Sequence, residues 1–510
     1  MKQERANKYI NIFLISFSVI SFTMLAISQL FWPYDLDHGI FATVADVILD
    51  GGVVYRDIWE LKGPAVYYLL AFINWLCDRE EYGIRIFDLI IVITGLYYFY
   101  RILTKYVDNL TSIIVSSVLG VAFFKNTWVA AEPDGWASIL TIIIMWKILE
   151  DNYHYKLINA SIIAILLGMV GLLKPPYLLY CILPLIYIST KDGDYRKKFN
   201  FILTIALGSF SIIYFISMYF WYNNALWDLI DNIFIYNWNF HKDLFRNENT
   251  LLDLKKNLVI FFVDKNIILP SLLFFTGLIL AKKDGLPKSF LIFVWLLSSI
   301  FFVFLQGGSL PYQNLLVAPP MLIFSAIALY KIKEMLSYKE FILICTLSIS
   351  LAHYDTYTKY LIPTLDVNTG KITKIEYYDK VALRNDRAQR EVAKYIKDRN
   401  SNKDPVFILG FSSIINFLSD SPTATKYSYI MPFIESHGEY FNNISSELIY
   451  DLNKNKPKFI VTSYMIFLLS KGDIKSNNPL LRIKGIKDFL ENNYILVEVK
   501  DKFLIYKRKI

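Results

Sequence analysis

The chain is poor in charge and in cysteine. Only 19% of its 510 residues are Asp, Glu, Lys or Arg, against about 25% in an ordinary soluble protein. A soluble enzyme of this size is excluded by that shortage, as are a disordered chain and fibres of the collagen or coiled-coil kind. Cys77, Cys181 and Cys345 lie far apart in apolar stretches. They make no CxxC pair and no disulfide framework, and read as buried packing thiols. A nucleotide fingerprint is also lacking: the turn GFSS at 410–413 has one glycine, where a phosphate-cradling loop needs several.

What is abundant is apolar. Hydrophobic residues make up 55% and aromatic residues 16%, and mean hydropathy is +0.38. The apolar residues come in repeated runs of about 20, the length that crosses a bilayer. A net charge of +8 then reads as cytoplasmic loops facing anionic lipid, and not as nucleic-acid binding. Charge density changes along the chain: 55 of residues 1–354 are charged, against 43 of residues 355–510. That shift divides a transmembrane domain, 1–354, from an extracytoplasmic α/β domain, 355–510.

The first apolar run, 10–31, follows Lys2, Arg5 and Lys8. It is too long for a signal-peptide core and lacks a small-residue cleavage site, so it reads as a retained helix with a cytoplasmic N-terminus. Further spans fall at about 83–103, 110–130, 134–150, 157–173, 175–190, 199–222, 258–280, 288–306, 311–330 and 339–354, eleven in all. The segment 64–77 is short for a span. Counting it as interfacial or re-entrant puts Arg101/Lys105, Lys147/Lys156, Lys191/Arg196–Lys198, Lys282/Lys283/Lys288 and Lys331/Lys333/Lys339 on the cytoplasmic side, as the positive-inside rule requires. Residues 32–82 then form a long first external loop, and 125–134 a short second one. Residues 223–257 and the C-terminal domain face outside as well.

Local patterns are readable too. GIFATVADVILDGG (39–52) puts Ile40, Val44, Val47 and Ile48 on one helical face, with Gly51-Gly52 as its stop; such a helix lies in the interface plane. In the tail, 384–398 reads as a helix with Ala388, Val392, Tyr395 and Ile396 on one face. Residues 404–420 read as strand, turn and helix, 457–464 as a strand, and 494–508 as a hairpin turning at Lys500-Asp501-Lys502.

Ionisable groups at a membrane edge are functional candidates. FWPYDLDHG (31–39) carries Asp35 and Asp37; WVAAEPDGW (128–136) carries Glu132 and Asp134. The charge-based topology puts both motifs on the external side. Asp37, ahead of His38-Gly39, is also suited to cap the 39–50 helix. Cations on that side are few: Arg56 and Lys62 in VYRDIWELKGP (54–64), Lys125, Lys174 in GLLKPPY (171–177), and a set around 242–265. Beside an apolar slot such cations suit a lipid-linked phosphate; snorkelling to headgroups is the structural alternative. DNIFIYNWNFHKD (231–243) offers Tyr236, Trp238 and Phe240 for stacking on a sugar or for interfacial anchoring, and its lone His241 reads as a surface histidine.

Together these motifs resemble the GT-C superfamily of integral-membrane glycosyltransferases. The match is to the bacterial branch that contains enzymes similar to protein O-mannosyltransferases and lipid A aminoarabinose transferases. The resemblance rests on D37-H-G-I-F, V54-Y-R-D, K62-G-P and E132-P-D134, and covers residues 8–190, with later spans matched by hydropathy. Two positions depart from the family pattern. His38 stands where the family often has an acid after the first Asp, and Tyr312-Gln313-Asn314 where it often has a His-Tyr pair.

The resemblance implies a polytopic helical membrane enzyme in the cytoplasmic (inner) membrane. It would move a sugar, hexosyl or pentosyl, from a polyprenyl-phosphate donor to an acceptor hydroxyl at the external face, with inversion. In that scheme Asp37 is the general base, and Arg56, Lys62 or Lys174 offsets phosphate charge. Glu132 and Asp134 position the acceptor, or hold Mg²⁺ or Mn²⁺ with Asp37. Tyr236, Trp238, Tyr312 and Gln313 are candidates on the acceptor side. The acceptor is a glycan, lipid or protein, membrane lipid surrounds the chain, and no nucleic acid is involved. The competing classes are a polysaccharide or lipid transporter or assembly protein, and an oligosaccharide polymerase or ligase. Transporters tend to show internal repeats and midplane charges, which this chain lacks. A polymerase or ligase would be expected to use external arginines or histidines, which are scarce here.

Overall fold

The computed structural model describes residues 2–34, 36–125, 132–150, 156–191, 193–241, 268–283, 289–306, 311–381, 386–463 and 483–509. Asp35, residues 126–131, the basic set at 242–265, the start of the predicted 258–280 span and residues 307–310 lie outside the described residues. So do the side chains of Lys125 and His241.

The chain forms two compact units that interleave in sequence. The first comprises Met1–Trp32, Ile84–Met218 and Phe245–Ile372. The second comprises Pro33–Gly83, Tyr219–Leu244 and Thr373–Ile510, so the C-terminal stretch shares its unit with the predicted first external loop.

The first unit is helical. Among the described residues, three helices are long and apolar enough to cross a membrane: Tyr9–Phe31, Tyr82–Leu103 and Tyr195–Tyr222. The outward face of Tyr82–Leu103 carries Ile86, Ile90, Ile93 and Tyr97, an apolar stripe at helical spacing that suits lipid. Shorter apolar helices include Leu157–Leu173 and Ser289–Leu305. Helix Ala318–Met335 is buried along its whole first stretch, Ala318–Leu329, as a helix apolar on all sides must be. It packs on Ile268–Lys283, while Lys2–Ser28 packs on Asn109–Lys125 and Pro133–Leu149 on Leu157–Leu173. Prolines at the first turn of Pro133–Leu149 and Ala318–Met335 start those helices without losing an internal hydrogen bond.

The second unit joins helices to a four-stranded sheet. Helix Pro64–Leu76 has 13 residues, so the segment judged too short to span is a short helix of this unit. Strands β1 (Val406–Leu409), β2 (Phe459–Ser463), β3 (Tyr494–Lys500) and β4 (Phe503–Arg508) lie in the order β1-β2-β4-β3. β1 and β2 are parallel; β4 is antiparallel to both neighbours. β3 and β4 form the hairpin read at 494–508, and Asp501 at its turn has φ +49°. Helix Asp386–Lys397 covers the sheet: Ala388, Val392 and Ile396 pack with Val406, Ile408, Val461 and Ile505 in one core. Those helical residues are spaced 4 and 4, and the strand residues alternate, the two periods that put apolar side chains on one face.

Candidate active site

In the second unit the first acidic motif starts a helix. Helix Leu36–Leu49 begins three residues before the expected start at 39, so Asp37 lies in its first turn and is not the residue outside it. A carboxylate there is favoured by the helix dipole. Gly51, at φ +90°, stops the helix. The helix docks against the turn after β1. A Cβ on Gly39 would come 2.5 Å from the Ile414 Cβ, so this approach requires glycine. The Thr43 hydroxyl is shared between the Gly39 and Ser413 carbonyls, 2.9 Å from each.

Asp37 meets Lys62: the ammonium donates to Asp37 Oδ2 at 3.1 Å. The same ammonium lies 4.2 Å from the centre of the Phe41 ring. Asp37 and Phe41 are one helical turn apart and share a face, so the helix presents a carboxylate and an aromatic face to one cation. Arg56 is committed elsewhere. It donates to both oxygens of Asp57, at 2.9 and 2.6 Å, and to the Asn223 carbonyl at 2.5 Å. Burial opposes charge on Asp57, but Arg56 and the Val53 N–H outweigh it and hold the carboxyl below its usual range.

Glu60, 2% exposed, was not among the residues singled out by the sequence. Tyr67 donates a short hydrogen bond to its Oε2, and the Leu61 N–H donates to the same oxygen at 2.9 Å. Burial pushes the Glu60 carboxyl up, against the opposing pull of Lys62, Tyr67 and the Leu61 N–H. Of the acceptor-side aromatics, Tyr236 is buried, donates to Glu435 at 2.7 Å and packs edge-on to Trp59. Trp238 is 67% exposed.

The second acidic motif belongs to the first unit. Glu132 precedes Pro133, which drives it into extended backbone with φ −78° and ψ 124°. Lys174 precedes Pro175-Pro176 and is likewise extended, with φ −150° and ψ 119°, at the end of helix Leu157–Leu173. Both prolines end or begin a helix and leave the residue before them turned away from its axis. Glu132 and Asp134 are fully buried. Lys174 donates to Asp134 Oδ2 at 2.6 Å and to Gln306 Oε1. Tyr177 donates to Asp134 Oδ1, and Gln306 Nε2 donates to the Tyr177 hydroxyl at 2.8 Å. Asp134, Lys174, Gln306 and Tyr177 thus close a hydrogen-bonded ring. Tyr312 and Gln313 are buried in the turn Pro311–Leu316, on which helix Pro133–Leu149 docks through Ser138 Oγ to the Leu315 carbonyl at 2.7 Å.

Sequence alone singled out Asp37, Lys62, Asp134 and Lys174 one by one, without their pairing and without the groups that fix them: Glu60, Tyr67, Tyr177 and Gln306. It also passed over Arg85 and Asp88, both 1% exposed near the start of an apolar helix. Their signal was there, since ionisable groups in such a helix are rare. Trp136 donates to Asp88 at 2.8 Å, and Gln29 to the Arg85 carbonyl at 2.9 Å. Both Asp134 oxygens accept, from Lys174 and Tyr177, and Asp37 Oδ2 accepts from Lys62. Among the described residues, no group of three His, Cys, Asp or Glu is gathered to hold a metal.

No protein-family model matches the chain, and no curated protein matches it in sequence. Solved structures do match in fold. ArnT from Cupriavidus metallidurans, bound to undecaprenyl phosphate, superposes with a TM-score of 0.62 at 12% identity, over 97% of each chain. The oligosaccharyltransferase of Archaeoglobus fulgidus, in complex with Zn and sulfate, gives 0.55 at 12% identity, over 91% of this chain and 70% of its own. The same organism's AglB, with an inhibitory peptide and a dolichol-phosphate, gives 0.51 at 10% identity, over 88% of this chain and 69% of its own. The chain shares the fold of these ArnT and oligosaccharyltransferase structures.

Proposed function

We propose that the chain is a glycosyltransferase of the external membrane face, moving a sugar from a polyprenyl-phosphate donor to an acceptor hydroxyl with inversion. The observation that carries this reading is the pairing of Asp37 with Lys62 at 3.1 Å on a short, glycine-docked helix. A carboxylate and a cation side by side are the two groups the transfer needs. Asp37 takes the proton of the acceptor hydroxyl. The hydroxyl oxygen bonds to the anomeric carbon as the bond from that carbon to the phosphate oxygen breaks. Lys62 passes from the carboxylate to the departing phosphate and offsets its charge. The polyprenyl phosphates bound to ArnT and AglB support a lipid donor of this class.

Lys174 and Arg56 are further phosphate contacts in this proposal, each requiring release from its present carboxylate partner. Glu132 and Asp134 orient the acceptor together with Gln313 and Tyr312, and Trp238 offers the exposed ring for a sugar face. In this reading residues 1–354 carry the spans of the cytoplasmic membrane, and 355–510 is extracytoplasmic.

The test is single-turnover release of radiolabelled sugar from polyprenyl-phosphate sugars in a membrane lipid extract, by purified wild type and Asp37→Asn. Release by wild type alone is the expected result. Equal release by both proteins removes Asp37 as the base. Donor binding without release, with candidate acceptors added, points to a transporter instead.

A further inference from the structure

Residues Trp59–Lys62 form no helix and no strand, yet both backbone polar groups of Lys62 and of Leu61 are held by side chains. The Trp59 N–H donates to the Lys426 carbonyl at 2.7 Å. The Leu61 N–H donates to Glu60 Oε2 at 2.9 Å, and Asn237 Nδ2 donates to the Leu61 carbonyl at 3.1 Å. The Lys62 N–H donates to the Tyr67 hydroxyl at 3.3 Å, and the Tyr55 hydroxyl donates to the Lys62 carbonyl at 2.6 Å. A half-buried segment without a ladder must find such partners. Two of them, Tyr67 and Tyr55, meet at Lys62.

The order within this network matters. Tyr67 gives its proton to Glu60 in a short hydrogen bond. Its hydroxyl oxygen is thereby turned to accept the Lys62 N–H, as a hydroxyl with its one proton committed must accept elsewhere. Glu60 therefore sets the orientation of Tyr67, and Tyr67 sets the backbone of Lys62. On the other side, Tyr55 is buried and held at φ +75°. That conformation strains a bulky residue and persists only where the surroundings enforce it. It is the conformation from which the Tyr55 hydroxyl reaches the Lys62 carbonyl. A carboxylate with no solvent is a costly way to fill space, and Glu60 is 2% exposed.

We propose that Glu60, Tyr67 and Tyr55 form a clamp of positioning residues that fixes Lys62 for a lipid-linked phosphate. The inference rests on the reading of Lys62 as a phosphate contact. The clamp contributes no group to the ligand; it removes freedom from the lysine backbone before the ligand arrives, so the ammonium is already in place. Releasing it weakens phosphate binding only as long as the lysine is there to be positioned.

That conditional dependence is the test. Radiolabelled undecaprenyl phosphate is titrated onto the purified full-length protein in detergent. Four proteins are compared: wild type, Tyr67→Phe, Lys62→Met and the double variant, with thermal midpoints recorded for each. Lys62→Met is expected to weaken binding by tenfold or more, an order-of-magnitude figure for losing a charged contact. Tyr67→Phe is expected to weaken it about fivefold, the order of one hydrogen bond. In the Lys62→Met background, Tyr67→Phe should change nothing further.

A Tyr67→Phe variant that binds like wild type, beside a weakened Lys62→Met, overturns the clamp and leaves the phosphate reading standing. The same fold-loss from Tyr67→Phe in both backgrounds also overturns it, because the tyrosine then acts through something other than Lys62. Undiminished binding by Lys62→Met removes the phosphate reading and the clamp with it. Should Tyr67→Phe fail to fold, Tyr55→Phe supplies the same comparison through the Lys62 carbonyl.

Discussion

Asp46 should make the protein lose stability as pH rises towards neutrality, and its removal should abolish that loss. Asp46 lies on the helix that begins with Asp37. Its Oδ2 accepts from Arg79 at 2.5 Å, and Arg79 also donates to Asp420 at 2.5 Å. Burial pushes the Asp46 carboxyl from 3.8 up to about 7, although Arg79 pulls the other way; Asp50 and Asp420 add repulsion. Asp420 is better served: burial opposes its charge, but Lys403 and Arg79 together hold its carboxyl below the usual range.

A carboxyl with a raised value in the folded protein keeps its proton where the unfolded chain has released it. The folded state thus binds more protons between pH 3.8 and about 7, and stability falls as pH rises through that window. The change from 3.8 to about 7 corresponds to roughly 4 kcal/mol at most, at about 1.4 kcal/mol per tenfold change in proton affinity. Asp46→Asn mimics the protonated side chain at every pH. Thermal midpoints of both proteins in detergent, from pH 4 to pH 8, should therefore coincide at the acid end and separate above pH 7, with the variant the more stable. A variant less stable than wild type at pH 8 would refute the reasoning, because the ion pair with Arg79 would then outweigh burial.

Two further substitutions probe the sites themselves. Gly39→Ala puts a Cβ 2.5 Å from that of Ile414; the helix must back away, at about 1–3 kcal/mol, less the ~1 kcal/mol that alanine gains in a helix. A lowered thermal midpoint with slower sugar transfer is expected, and a raised midpoint would show that the helix does not dock there. Lys174→Met leaves Asp134, whose side chain is 0% exposed, without its cation, a loss of about 3–5 kcal/mol for a buried pair. Combining it with Asp134→Asn should recover most of the loss in thermal stability. No recovery would mean that the ring with Gln306 and Tyr177 is not closed by charge.

The sequence was sufficient wherever one physical period decides the outcome. Apolar runs and the turn at Lys500-Asp501-Lys502 made helices and the hairpin legible, because helical and strand periods act on neighbouring residues. Asp37, Lys62, Asp134 and Lys174 stood out for the same kind of reason: charge beside apolar stretches is costly, and three of these four stand within two residues of a proline that sets the local backbone. Pairing was another matter. Nothing local says that Lys62 meets Asp37 across 25 residues, or that Lys174 meets Asp134 across 40 and Gln306 across 132. Glu60 and Tyr67 read as an ordinary acid and an ordinary interfacial aromatic until the fold buries both. The compact units also interleave, with 33–83 and 219–244 joining the C-terminal stretch. Such associations depend on which surfaces close over each other, and only the tertiary structure decides that.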